Sequence, residues 1–156
     1  MSDAHAQMIA EDGAMTVSRT AHVKRSGKNA PPLFVEQVAA GFPSPAEDYI
    51  DRNLDLNELL IRHPAATFFV RASGDSMIGA GIHSGDILVV DRAVEPTSGR
   101  IIIAVVNGEM TVKRIRRQDG KLSLCAENDE YAPIQVGRDM DFEIWGVVTY
   151  VIHKAQ

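Results

Sequence analysis

The dipeptide Asn107-Gly108 constrains this chain most. It separates two strand-like runs of similar length, Ile101–Val106 and residues 109–116. A two-residue hairpin turn of the primed type needs left-handed backbone at both central positions, which asparagine and glycine tolerate best. Such a turn fixes the register of its strands, and so decides which side chains share a face. Thr111, Lys113 and Ile115 then lie on one face of the second arm, with Met110 and Val112 on the other. Related signals recur. Gln118-Asp119-Gly120 leads into Lys121–Cys125, and residues 86–91 follow the turn His83-Ser84-Gly85. Residues 67–72 are β-branched and aromatic, and Phe142–Ile152 is Val-rich with Trp145. Short strands at close spacing, punctuated by turns, predict an all-β sandwich or barrel.

The first forty residues read differently. Residues 1–32 are polar, rich in Ala, Ser and Gly, and without sustained periodicity, ending in Asn29-Ala30-Pro31-Pro32. This is the composition of a mobile arm. Residues 33–38 are short and apolar, and are expected to lie against the domain as an extra strand. Pro43 and Pro45 prevent a continuous helix or central strand after Gly41, leaving the Ala40-Gly41 bond in an accessible, irregular segment. Ser44-Pro45-Ala46-Glu47 has the form of a capping box and predicts a short helix over 46–52. A second helical patch over 54–61 is closed by His63-Pro64.

Charge and cysteine content exclude several classes. Residues 1–40 carry four acids and four bases, so the net charge of −5 belongs to residues 41–156. An acidic domain is poorly suited to binding through the DNA backbone, and no sequence-specific DNA binding is expected. The basic cluster Lys113, Arg114, Arg116, Arg117 and Lys121 reads as a solvated strand end for all but Lys113. With Cys125 alone an internal disulfide is impossible, a reducing cytoplasm fits, and a buried structural thiol is expected. No apolar run approaches the ~20 residues that span a bilayer, and the N-terminus lacks a signal-peptide apolar region.

The chemistry rests on a pair. Ser76 stands in Ser73-Gly74-Asp75-Ser76-Met77, just after a predicted strand, and Lys113 lies on the second arm of the hairpin. A serine hydroxyl needs a base beside it, and a lysine serves if kept neutral. Burial disfavours the ammonium and lowers its pKa. Taken singly, Ser76 reads as a turn residue and Lys113 as a solvated strand cation. Their order after a small-residue bond, Ala40-Gly41, changes that reading. In this scheme Ser76 attacks the Ala40 carbonyl. Lys113 takes the hydroxyl proton and returns it to the Gly41 amine, while backbone N–H groups of Asp75 and Ser76 hold the oxyanion.

Rival chemistries fit less well. Ile78 occupies the final glycine position of a nucleophile elbow, and Gly79 stands where a Ser-x-x-Lys motif needs lysine. A Ser-His-Asp triad stays open through His63, His83 and His153, each near a turn or terminus and expected at the surface. No spacing of His and Cys indicates a metal, and Gly79-Ala80-Gly81 lacks a dinucleotide fingerprint, so neither metal nor cofactor is expected.

The ordered set Ala40-Gly41, Ser76-Met77 and Val112-Lys113-Arg114 resembles the LexA/UmuD family of self-cleaving SOS-response peptidases, and its UmuD branch most closely. Gly41-Phe42-Pro43-Ser44-Pro45-Ala46-Glu47-Asp48-Tyr49 looks like the start of a processed UmuD, and Asp55-Leu56-Asn57-Glu58-Leu59-Leu60-Ile61-Arg62-His63-Pro64 continues the match. The resemblance spans about residues 38–154 and does not cover residues 1–30; a start at Met8 or Met15 would explain their length. It implies a LexA/signal-peptidase-like β domain at 41–156 and a flexible arm at 1–40 removed by self-cleavage. It further implies stimulation by a RecA filament on single-stranded DNA, a processed homodimer, and partnership with a UmuC-like Y-family polymerase in translesion synthesis. A LexA-type repressor and a non-cleaving binding module of the same fold are the alternatives.

Overall fold

The computed structural model describes residues 5–6, 16–22, 31–34, 40–41 and 50–156. Two compact units emerge, one from Met1–Val23 with His63–Gln156 and the other from Lys24–Arg62.

The larger unit is one antiparallel sheet. Its strands are β1 (His5–Ala6), β2 (Thr16–His22), β5 (Thr67–Ser73), β6 (Ile87–Asp91), β7 (Ile101–Val106), β8 (Glu109–Gln118), β9 (Lys121–Cys125), β10 (Ile134–Gln135) and β11 (Phe142–Ile152). The strand order is β1-β2-β5-β6-β11-β7-β8-β9-β10. The last strand in sequence therefore lies near the middle of the sheet. The fold is all-β, as the strand and turn spacing predicts. Both tight hairpins form where expected. Asn107 and Gly108 have φ of 49° and 82°, and Asp119 and Gly120 have 50° and 72°, the left-handed backbone of primed turns.

Each face of this sheet carries an apolar cluster. Val70, Ala72, Met77, Ile82, Leu88, Val90, Ile103 and Val112 form one. Ile102, Ala104, Ile115, Leu124 and Val147 form the other. Alternation along β7 explains the division, since Ile103 points to the first cluster and Ile102 and Ala104 to the second. β2 and β8 approach each other although β5, β6, β11 and β7 separate them in strand order, so the sheet curls. That curl lets a lysine on β8 be surrounded by protein.

β11 contributes to both clusters, with Trp145, Val148 and Val151 against the first and Phe142, Ile144 and Val147 against the second. Its register shifts between Ile144 and Gly146 and again between Val148 and Tyr150. Gly146 sits at the first shift because a Cβ there would lie 2.6 Å from Val90 Cγ1. Tyr150 and Ile152 stay exposed beyond the second.

The smaller unit pairs β3 (Pro32–Phe34) with β4 (Ile50–Asn53), followed by α1 (Leu56–Leu60). Asp55 caps α1 by accepting from the Asn57 N–H at 2.9 Å. Here two expectations change. The helix expected over 46–52 is replaced, where described, by strand β4, because a cross-strand partner outweighs a local capping signal; residues 46–49 lie outside the described residues. Of the apolar run 33–38, Leu33 and Phe34 are in β3 and 35–38 lie outside the described residues. Residues 16–22, read as irregular, form β2 by pairing along β5 from Thr16↔Ser73 to His22↔Phe68. Thr16, Val17 and Thr20 suit a strand once a partner edge exists.

Candidate active site

Ser76 and Lys113 arrive from different parts of the sheet. β5 ends at Ser73, and Gly74, with φ of 92°, reverses the chain in left-handed backbone open mainly to glycine. Asp75 and Ser76 follow, and the short 3-10 turn Ile78–Ala80 closes the loop. Met77 is fully buried and joins the first apolar cluster, which holds the loop down. Lys113 sits mid-way along β8, opposite Ile102 of β7.

The structure brings these two side chains together. Lys113 Nζ lies 3.2 Å from Ser76 Oγ, across 37 residues of sequence. It also lies 3.1 Å from Thr111 Oγ1 and 3.2 Å from the Val112 carbonyl oxygen. Ser76 is 0% and Lys113 3% exposed. Burial lowers the Lys113 pKa from 10.5 to about 8. Nζ donates to the Val112 carbonyl, to Thr111 Oγ1 and to Ser76 Oγ; once it loses a proton, its lone pair can accept the Ser76 hydroxyl proton. Thr111 is thus a third member of this constellation; alternation in the hairpin places it beside Lys113, but its role was not read from the sequence.

A second loop supports the first. Glu127 N–H donates to the Ser76 carbonyl at 2.9 Å, and Gly79 N–H donates to the Glu127 carbonyl at 2.8 Å. A Cβ on Gly79 would lie 2.6 Å from that carbonyl oxygen, so glycine is required for this approach. Asn128 Nδ2 donates to the Asp75 carbonyl at 3.1 Å, and the Tyr131 hydroxyl donates to Asp75 Oδ1 at 2.7 Å. Arg114 Nε bonds Glu127 Oε1, and Arg114 Nη1 donates to the Gly99 carbonyl at 2.6 Å. Arg114 is therefore a half-buried, paired cation rather than part of a solvated strand end. Cys125 is likewise half-buried, 3.8 Å from Ser123 Oγ, while its neighbour Leu124 takes the core position.

The other expected residues are placed separately. Ala40 and Gly41 form an exposed bend in the smaller unit. His63, His83 and His153 are near half exposed, as their turns suggest, and each bonds or abuts a buried carboxylate. His63 Nδ1 is 2.7 Å from Asp91, and His153 Nδ1 is 2.6 Å from Asp86. Among the described residues no helix is long and apolar enough to cross a membrane.

Comparison with known proteins converges on one family. A model described as Peptidase S24-like matches residues 32–149. Protein SamA of Salmonella typhimurium is 50% identical over 125 residues, covering 80% of this chain and 86% of that protein. Protein MucA of Escherichia coli is 42% identical over 120 residues, covering 76% and 82%. A LexA repressor of Pseudomonas chlororaphis is 35% identical over 161 residues, covering 98% and 79%.

Proposed function

This chain belongs to the Peptidase S24-like family, and from that premise we propose that it is a self-cleaving serine peptidase of the SOS mutagenesis branch, with Ser76 as nucleophile and Lys113 as base. The observation that carries the reading is the 3.2 Å approach of a buried Ser76 Oγ to a buried Lys113 Nζ. The amine's pKa near 8 leaves a usable neutral fraction at cellular pH.

In the reaction, Ser76 Oγ attacks the Ala40 carbonyl carbon and its proton passes to Lys113 Nζ. The Asp75 and Ser76 N–H groups receive the oxyanion. Lys113 then protonates the Gly41 amine as the peptide bond breaks. Water, deprotonated by the same lysine, releases the acyl group from Ser76. Exposure of the Ala40-Gly41 bend supports its use as the cut bond, because a protease needs backbone free to enter its cleft. The processed homodimer then serves a UmuC-like polymerase in the cytoplasm, with a RecA filament on single-stranded DNA as trigger. Family membership and the relatives' similarity support these partners.

A LexA-type repressor is the second reading, favoured by the alignment that covers 98% of this chain. Such a repressor needs a DNA-reading helix ahead of the scissile bond. The described residues before Ala40 are strand or irregular, which favours the first reading.

The test is mass spectrometry of purified protein held at raised pH, or mixed with RecA, single-stranded DNA and nucleotide. A fragment beginning Gly41-Phe42-Pro43, absent from Ser76→Ala protein, is the expected result. A stable full-length chain under both conditions would leave a non-cleaving binding module. Operator-type DNA binding by the intact chain would favour the repressor.

A further inference from the structure

Three side chains outside the dyad meet where β6 begins and β11 ends. His83 and Asp86 stand in the turn before β6, and His153 immediately follows β11. The antiparallel pairing ends at Ile152↔Ile87. One further step of that register sets His153 against Asp86, although 67 residues separate them in sequence.

His153 Nδ1 lies 2.6 Å from Asp86 Oδ1, and His83 Nδ1 lies 3.8 Å from Asp86 Oδ2. The two imidazole centroids are 4.8 Å apart with planes tilted by 43°. One ligand atom from each residue falls within 4.8 Å of the other two. A tetrahedral zinc-like ion holds its nitrogen and oxygen ligands at ~2.0–2.2 Å, so they sit roughly 3.4 Å from one another. The spacings of 2.6 and 3.8 Å bracket that value. Asp86 is buried, and its Oδ2 accepts the His83 backbone N–H at 2.8 Å, so the carboxylate is already aimed. The two histidines are about half exposed, which provides an entry path and an open coordination position.

We propose that His83, Asp86 and His153 bind one divalent transition-metal ion of the zinc class. Two imidazoles and one carboxylate favour such ions over magnesium or calcium, which prefer all-oxygen ligand sets. On binding, the ion takes the place of the hydrogen bond between His153 Nδ1 and Asp86 Oδ1, and any proton held there passes to solvent. The ion fastens the end of β11 to the turn before β6. That turn is tied to β5, since Ala72 N–H donates to the Asp86 carbonyl at 2.9 Å and Gly85 N–H to the Ala72 carbonyl at 2.8 Å. Metal therefore stabilises the strand that leads into Ser76.

The experiment is calorimetric titration of untagged, full-length protein with Zn2+, followed by Co2+ as an absorbing probe. One ion per chain is expected. His83→Gln and His153→Gln should each weaken binding by at least about tenfold. His63→Gln, whose ring pairs with Asp91 instead, should leave it unchanged. Zn2+ should raise the unfolding temperature of the parent protein but not of His153→Gln. Absence of binding, or binding indifferent to both substitutions, would overturn the proposal and leave a hydrogen-bonded clasp between Asp86 and its histidines.

Discussion

The pH dependence of self-cleavage gives the sharpest test of Lys113. Burial lowers its pKa from 10.5 to about 8. At pH 7 the ratio of neutral to charged amine is then about one to ten, whereas an unburied lysine would give about one to three thousand. The structure thus supplies roughly a 300-fold larger population of base, equivalent to about 3 kcal/mol. Spontaneous cleavage should rise about tenfold per pH unit below pH 8 and level off above it. The perturbation is a pH series from 6 to 10 on purified protein, with loss of residues 1–40 followed by intact mass. Lys113→Arg should be inactive throughout, because a guanidinium keeps its proton. A rate independent of pH would refute the reasoning, as would a midpoint near 10.5. Either outcome would mean that Lys113 is not the base, or that its burial does not persist in solution.

Other perturbations follow from the same geometry. Ser76→Ala should abolish cleavage while preserving the fold, and adding Lys113→Ala should reduce activity no further, as checked by fragment release and circular dichroism. Lys113→Met should stabilise the protein at neutral pH by up to about 3 kcal/mol in urea unfolding, less what its lost hydrogen bonds contributed. The sign follows from a folded pKa below the unfolded one: the cost of a buried charge is full below pH 8 and vanishes as pH rises towards 10.5. The Met variant's advantage should shrink across that window; a constant advantage would count against it. Gly79→Ala forces a Cβ against the Glu127 carbonyl, so it should cost about 1–3 kcal/mol and slow cleavage. Normal cleavage kinetics in that variant would mean that the 127–131 loop does not hold the nucleophile.

The sequence disclosed what is local and hid what is not. Both primed hairpins were legible because Asn107-Gly108 and Asp119-Gly120 carry their turn geometry in adjacent residues. The approach of Lys113 to Ser76 follows the motif order, and the hairpin places Lys113 beside Thr111. The Glu127, Asn128 and Tyr131 support was not legible, since more than fifty residues separate Asp75 from its side-chain partners there. Nor was the His83, Asp86 and His153 cluster, which exists only through the register of β6 against β11. Strand β4 was misread as helix because Ser44-Pro45-Ala46-Glu47 is a local signal, whereas pairing with β3 is a tertiary one. β2 was missed for the same reason, its partner β5 lying about fifty residues away.

Strand order also sets when the chain can become reactive. The β7–β8 hairpin needs only a two-residue turn, and hairpins of this kind close in about 1–10 μs. Lys113 is therefore in place early. Ser76 is carried by β5 and β6, and β11 alone lies between β6 and β7. Until Phe142–Ile152 has been made by the ribosome and inserted, no strand pairing joins the half of the sheet bearing Ser76 to the half bearing Lys113. A polypeptide lacking β11 thus holds both residues without the strand ladder that links them. On the proposed mechanism, insertion of this strand is therefore the step that arms the molecule, by linking the strands that carry nucleophile and base.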